Sequence, residues 1–232
     1  MNIGIITAMS SEQKQLANQL TDKNERTVGP FTYIEGKIKE NTVVLMQCGI
    51  GKVNAAAGTV ELINNFKPDC IISTGVAGGI DTCLKVMDVV VSQEIVYHDV
   101  WCGDGNDYGQ IQGLPTFFKG NETLFNTAMN LHTETTIHGG LICTGDKFIS
   151  DREQLNEIKS NFPAGLAVDM ESAAIAQVCH LFNVPFISFR IISDTPGAVD
   201  QNFDQYLNFW DEMADRSFHV TETFLHALPH QL

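Results

Sequence analysis

The chain has 232 residues, 44% of them hydrophobic, and its 14 Lys and Arg against 28 Asp and Glu give a formal charge of −14. That much negative charge repels nucleic acid and anionic membrane surfaces, which leaves small neutral or cationic ligands as partners. The length suits a single α/β domain over residues 1–232 with a large buried core.

The chain opens on MNIGIITAM, which enters a strand over Asn2–Ala8 directly, without the basic region and cleavage site of a secretory leader. A helix follows over Ser10–Leu20, with Ser10 or Ser11 as N-cap. The next apolar run, Thr42–Cys48, reads as a strand, and Val53–Phe66 as a helix. Strands are predicted over Cys70–Thr74 and Val86–Ser92, then a helix over Asn121–Leu131. The strand Gly140–Thr144, the helix Asp151–Asn161 and the strand Gly165–Val168 come next. A helix over Ser172–Phe182, a strand over Pro185–Ile192 and a helix over Phe203–Leu228 complete the chain. Such alternation, with several strands apolar throughout, predicts a parallel or mixed sheet covered on both faces. No apolar run reaches the ~20 residues of a membrane span. The six cysteines include no CxxC pair, and Cys48, Cys70, Cys143 and Cys179 lie in or beside apolar runs. They read as buried, reduced thiols of a cytoplasmic protein.

Ligand sites on such sheets gather at the carboxyl ends of the strands. That rule collects Met9 to Glu12, Gly49 to Gly51, Gly75 to Gly79, Asp169 to Glu171, and Ser193-Asp194, if the topology is doubly wound. CGIGKVNAA (48–56) is not a dinucleotide fingerprint, because the third glycine position is Asn54 and no acid ends a suitable next strand. STGVAGGI (73–80) lacks the GK[ST] of a phosphate loop. It reads either as a tight turn or as a backbone floor, at Ala77 and Gly78, for a sugar or base. Tyr97-His98-Asp99 reads as structural or interfacial, since neighbouring side chains on a strand point apart and no third metal ligand is suitably spaced. Arg190 and Asp194 punctuate the otherwise apolar FISFRIISD, where buried charge needs a partner or a ligand. Glu12 opens a helix, a place for a dipole-stabilising acid or for a functional one. In AVDMESAAIAQVC (167–179), Asp169 and Glu171 stand where strand gives way to helix, followed by Ser172-Ala173-Ala174. A carboxylate there can accept hydrogen bonds from both hydroxyls of a ribose, and the small residues let the helix start close to the ligand.

Taken in order, IGIITAM with Glu12, CGIGKVNAA, STGVAGG, KVMDVVVS, YHD, TGDKFI, VDMESAAIAQVC, FNVPF and FRIISD resemble the nucleoside phosphorylase/nucleosidase superfamily. Within it they are most similar to the bacterial 5′-methylthioadenosine/S-adenosylhomocysteine nucleosidases, over almost the whole chain. The resemblance implies a three-layer α/β/α sandwich around a central mixed sheet, and a homodimer. It implies hydrolysis of an N-glycosidic bond to adenine and a thioribose, with no metal and no cofactor. By the same resemblance Asp194 donates a proton to purine N7, Glu12 activates water and Glu171 holds the ribose hydroxyls. Arg190 and Ser193 are implied as polar lining, and Phe148 and Ile149 as the adenine shelf. Met9, Ile50, Met170 and Phe203 are implied as apolar contacts, and Asp169, Ala77 and Gly78 fall in the same site. The candidate substrates are methylthioadenosine, S-adenosylhomocysteine, 5′-deoxyadenosine and aminofutalosine.

Phosphorolysis is the nearest rival, but ITAMSSEQ and CIISTGVAGG contain no arginine where the phosphorylases are implied to cradle phosphate. A catalytically silent nucleoside binder is the rival of a different class. The chain departs from the family pattern at Asp169, where Glu is typical, at Val76, where Ser is common, and over 100–118. That last segment is expected to reach across a dimer to the neighbour's site.

Overall fold

The computed structural model describes residues 1–196, 202–210 and 214–232. The elements run β1 (Asn2–Thr7), α1 (Ser10–Ala17), β2 (Thr21–Val28), β3 (Phe31–Ile38), β4 (Asn41–Gln47) and α2 (Lys52–Phe66). Then come β5 (Cys70–Gly79), β6 (Val89–Tyr97), β7 (Phe118–Lys119), α3 (Glu122–Met129) and β8 (Ile137–Thr144). The rest are α4 (Arg152–Asn161), β9 (Gly165–Asp169), α5 (Ser172–Phe182), β10 (Phe186–Asp194), α6 (Asn202–Asn208) and α7 (Ala214–Ala227).

The apolar runs become the interior of one mixed sheet. Every residue of β10 is buried, as expected of a strand covered on both faces. On β1, Ile3 and Ile5 join the core under α1, α3 and α7, while Ile6 joins the core under α2 and α5. This is the period-two alternation of a strand. Gly4 lies on the α2 side, where a Cβ would meet Leu62 Cδ2 at 2.6 Å, so the helix packs directly on the strand backbone. No helix among the described residues is long and apolar enough to cross a membrane. All six cysteines are free, and Cys48, Cys70, Cys143 and Cys179 are buried.

Several expectations are corrected. β2 and β3 are additions to the expected strands: FTYIEGKI of β3 has no continuous apolar run, and TDKNERTV of β2 has no apolar run at all. It is the exposed edge of the sheet, held only by pairing with β3, and its charges discourage pairing with other chains. STGVAGG is not a turn: β5 continues through it to Gly79. The doubly wound path is also replaced. β10 pairs with both β5 and β6, β6 with β8, β8 with β9, and β9 returns antiparallel to β5 at Gly78 and Gly79. Five strands therefore close on themselves. The N-cap of α1 is Met9 rather than a serine. The helix expected over Phe203–Leu228 appears as α6 and α7, with residues 211–213 outside those described.

Candidate active site

The carboxyl ends of β1, β4, β5, β8, β9 and β10 meet at one cavity, as the general rule for such sheets predicts. Its wall holds Met9, Glu12, Ile50, Ala77, Gly78, Phe148, Ile149, Asp169, Met170, Glu171, Ser193 and Asp194. Two residues singled out from the sequence do not reach it. Arg190 lies behind the carboxylates, and Phe203 stands outside the wall with its ring 5.9 Å from that of Phe148. Ala8, Val76, Lys147, Val168 and Tyr206 complete the lining. Tyr206 carried no sequence signal, being one aromatic among several on a C-terminal helix.

Glu12 sits in the first turn of α1 but is only 1% exposed. Its side chain folds back under the helix start, where Oε2 accepts the N–H groups of Ala8 and Met9, each at 2.9 Å. Oε1 accepts the N–H of Val76 at 3.0 Å. A Cβ on Gly75 would run into this carboxylate, which is why the strand carries glycine there. Burial pushes the Glu12 pKa above its ordinary value, against the opposing pull of Arg190 and the three backbone donors. A carboxylate so placed is a competent proton acceptor.

The two acids of VDMES have separate tasks. Asp169 faces the core: its Oδ2 is 2.9 Å from Arg190 Nη2, and Oδ1 accepts the Thr144 hydroxyl at 2.6 Å. Ser172 Oγ also donates to Asp169. Glu171 faces the cavity, with Oε1 accepting the Gly51 N–H at 2.9 Å and Oε2 3.8 Å from Arg190. Burial raises its pKa to about 7, with Arg190 opposing the rise. The small residues after Glu171 have a different use from the one expected. Ser172, Ala173 and Ala174 are buried but absent from the cavity wall; α5 packs there against α2 and the sheet.

Arg190 is held on every side. Besides Asp169, it donates to Ser73 Oγ at 2.8 Å, and its Nε reaches Ser172 and Ser188 Oγ, each at 3.2 Å. Burial alone would favour loss of its proton, but Asp169, Glu171 and Glu12 keep it charged. Asp194 is 2% exposed and its Oδ1 accepts the Ser193 hydroxyl at 2.7 Å. Four acids, Glu12, Asp169, Glu171 and Asp194, thus line one cavity, Asp169 with its carboxylate tied to Arg190, and Lys147 is the one cation among the described wall residues. The arrangement suits acid–base chemistry on an uncharged ligand rich in hydroxyls.

The chain matches the family model described as the phosphorylase superfamily over residues 2–226. It is 45% identical over 211 residues to the 5′-methylthioadenosine/S-adenosylhomocysteine nucleosidase of Actinobacillus succinogenes, covering 89% of this chain and 92% of that one. Among solved structures it is similar to such a nucleosidase from Colwellia psychrerythraea in complex with adenine, with TM-score 0.93, 36% identity, and coverage of 100% and 97%. It is similar also to the S. pneumoniae nucleosidase with the transition-state inhibitor MT-ImmA, with TM-score 0.92, 37% identity, and coverage of 99% and 100%.

Proposed function

The chain belongs to the phosphorylase superfamily, and from that premise we propose that it is a nucleosidase hydrolysing 5′-methylthioadenosine and S-adenosylhomocysteine to adenine and the thioribose. The observation that carries this reading is the meeting of Glu12, Glu171 and Asp194 on one largely apolar cavity. Asp194 protonates N7, so the electrons of the breaking C1′–N9 bond pass to a neutral leaving base. Water adds to the oxocarbenium-like carbon as Glu12 takes its proton. Glu171 accepts hydrogen bonds from the ribose hydroxyls, and Phe148 with Ile149 forms the shelf for the base. Met9, Ile50 and Met170 supply apolar contacts, and Phe203 closes on Phe148 from outside. We read the architecture as a one-domain three-layer α/β/α sandwich and the protein as cytoplasmic, in keeping with its free cysteines.

Hydrolysis is favoured over phosphorolysis by the state of Arg190. Its guanidinium is 1% exposed, stands off the cavity wall and is engaged through Nε and Nη2 by Asp169 and three serines, so it is not presented to a phosphate in the cavity. Adenine release from methylthioadenosine is therefore expected at the same rate with and without phosphate, yielding the free sugar. A ribose 1-phosphate product overturns hydrolysis, and no adenine at all indicates a binder. Running the same assay on S-adenosylhomocysteine, 5′-deoxyadenosine and aminofutalosine ranks the substrates.

The same reading includes a homodimer in which the 100–118 segment covers the neighbour's site. Among the described residues none of that segment lines the cavity of its own chain. Val100, Leu114 and Phe118 are covered within the chain, but Trp101 remains 61% exposed, and Ile50 and Val53 beside the cavity 52% and 79%. That much exposed apolar surface favours a partner. Light scattering at micromolar concentration is expected to give twice the chain mass; an active monomer overturns the dimer.

A further inference from the structure

Asp99, two residues beyond the end of β6 in the Tyr97-His98-Asp99 stretch, takes no part in the proposed chemistry but belongs to a closed charged ring. Lys52, the first residue of α2, donates from Nζ to both Asp99 oxygens at 2.8 Å. Asp99 Oδ2 accepts the backbone N–H of Asp146 at 2.9 Å. Asp146 Oδ1 in turn accepts the backbone N–H of Lys52 at 2.8 Å, which closes the ring. The Lys52 and Asp99 side chains are only 22% and 18% exposed, and Lys52 Nζ also lies 5.4 Å from the centre of the Tyr97 ring. Burial would raise the Asp99 pKa, but the hydrogen bonds from Lys52 and Asp146 outweigh it and hold the carboxyl below its usual value.

Each arm of the ring adjoins the cavity. Immediately before Lys52, the Gly51 N–H donates to Glu171 Oε1. Immediately after Asp146 come Lys147, Phe148 and Ile149, all on the wall. Gly51 has φ of +93°, and a Cβ there would lie 3.0 Å from Asp146 Oδ1, so the turn fits tightly against its partner. The N-terminus of α2 therefore carries two carboxylates, Glu171 on one backbone N–H and Asp146 on the next, where the helix dipole favours negative charge.

Building on the nucleosidase reading, we propose that Asp99 and Lys52 are positioning residues that hold the ribose carboxylate and the base shelf in register with each other. Neither touches the reacting atoms. Without the Lys52–Asp99 link, the start of α2 and the 146–149 turn keep only the bond from the Lys52 N–H to Asp146 between them, so they shift more freely and Glu171 and Phe148 present a less well registered binding surface. Both groups contact the substrate before and during reaction, so their misplacement weakens binding uniformly and appears in KM.

The test compares the full-length wild type with Asp99→Asn and Lys52→Met, following adenine release from methylthioadenosine across pH and the thermal midpoint of each. KM is expected to rise about tenfold in each variant, inside the ~100-fold that a 1 Å misplacement can cost, with kcat within about threefold and the shape of the pH profile unchanged. The double variant is expected to cost little more than the worse single one, because both break the same ring. A merely structural role lowers the thermal midpoint and leaves KM alone; that result in both variants overturns the proposal. If Asp99→Asn does not fold, the KM of Lys52→Met decides by itself. Absence of wild-type turnover instead overturns the nucleosidase reading, so the two failures are distinct.

Discussion

Asp194→Asn is expected to lower kcat by about 10²–10⁴ while leaving the Kd for methylthioadenosine within about twofold. Adenine leaves poorly as an anion, and the proton delivered to N7 makes it a neutral leaving group. Asn keeps the shape of the side chain and can still hydrogen-bond the purine edge, so ground-state binding survives. Glu12→Gln is expected to share the pattern, since it removes the acceptor of the water's proton while the base and ribose contacts remain. Glu171→Gln is expected to differ by weakening binding as well, because in the proposed reaction that carboxylate holds the ribose throughout. Single-turnover rates beside equilibrium binding separate the cases. An Asp194→Asn protein retaining more than about a tenth of wild-type kcat rules Asp194 out as the acid.

Arg190→Met is expected to destabilise the protein by about 3–5 kcal/mol, the usual cost of removing one partner of a buried ion pair. Arg190 and Asp169 side chains are both 1% exposed and 2.9 Å apart, so the substitution strands Asp169 without a counter-charge. Urea midpoints measure the loss, and adding Asp169→Asn is expected to restore part of it by removing the stranded charge. The survivor of this change carries a second signature. Arg190 now opposes the burial that raises Glu171 to about 7, and it opposes the rise at Glu12 as well. Without it both carboxyls move further up. The proposed reaction needs them ionised, so kcat/KM is expected to fall as pH falls through those values. The acid limb of the profile is therefore expected at higher pH in the variant, with the apparent values belonging to the cluster rather than to one residue. An unchanged urea midpoint and an unmoved limb together refute this account of Arg190.

Much of the layout was readable along the chain, because strand and helix each impose a local period. The apolar runs at Asn2–Ala8, Cys70–Thr74 and Pro185–Ile192 read as covered strands, and the rule of carboxyl ends then placed Glu12, Glu171 and Asp194 together. β2 escaped because it lies at the sheet edge, where pairing rather than burial makes the strand, and β3 because it is only half buried, so FTYIEGKI has no continuous apolar run. The extension of β5 through STGVAGG escaped for a related reason: its glycines look like a turn until β9 and β10 flank them and Glu12 fills the space above Gly75.

By itself the sequence determined which acids, glycines and apolar segments exist and at which strand ends they fall. Only the tertiary structure decided which neighbours each acid has. Asp169 and Glu171 are two carboxylates two positions apart at the same strand end; the structure sets them apart through Arg190, which arrives from another strand and lies 2.9 Å from Asp169. The ring of Lys52, Asp99 and Asp146 likewise joins residues 47 and 94 positions apart, beyond any local pattern. A carboxylate's pKa and role follow from the charges and donors that surround it in space. Those neighbours come from distant segments, and folding alone brings them within hydrogen-bond reach.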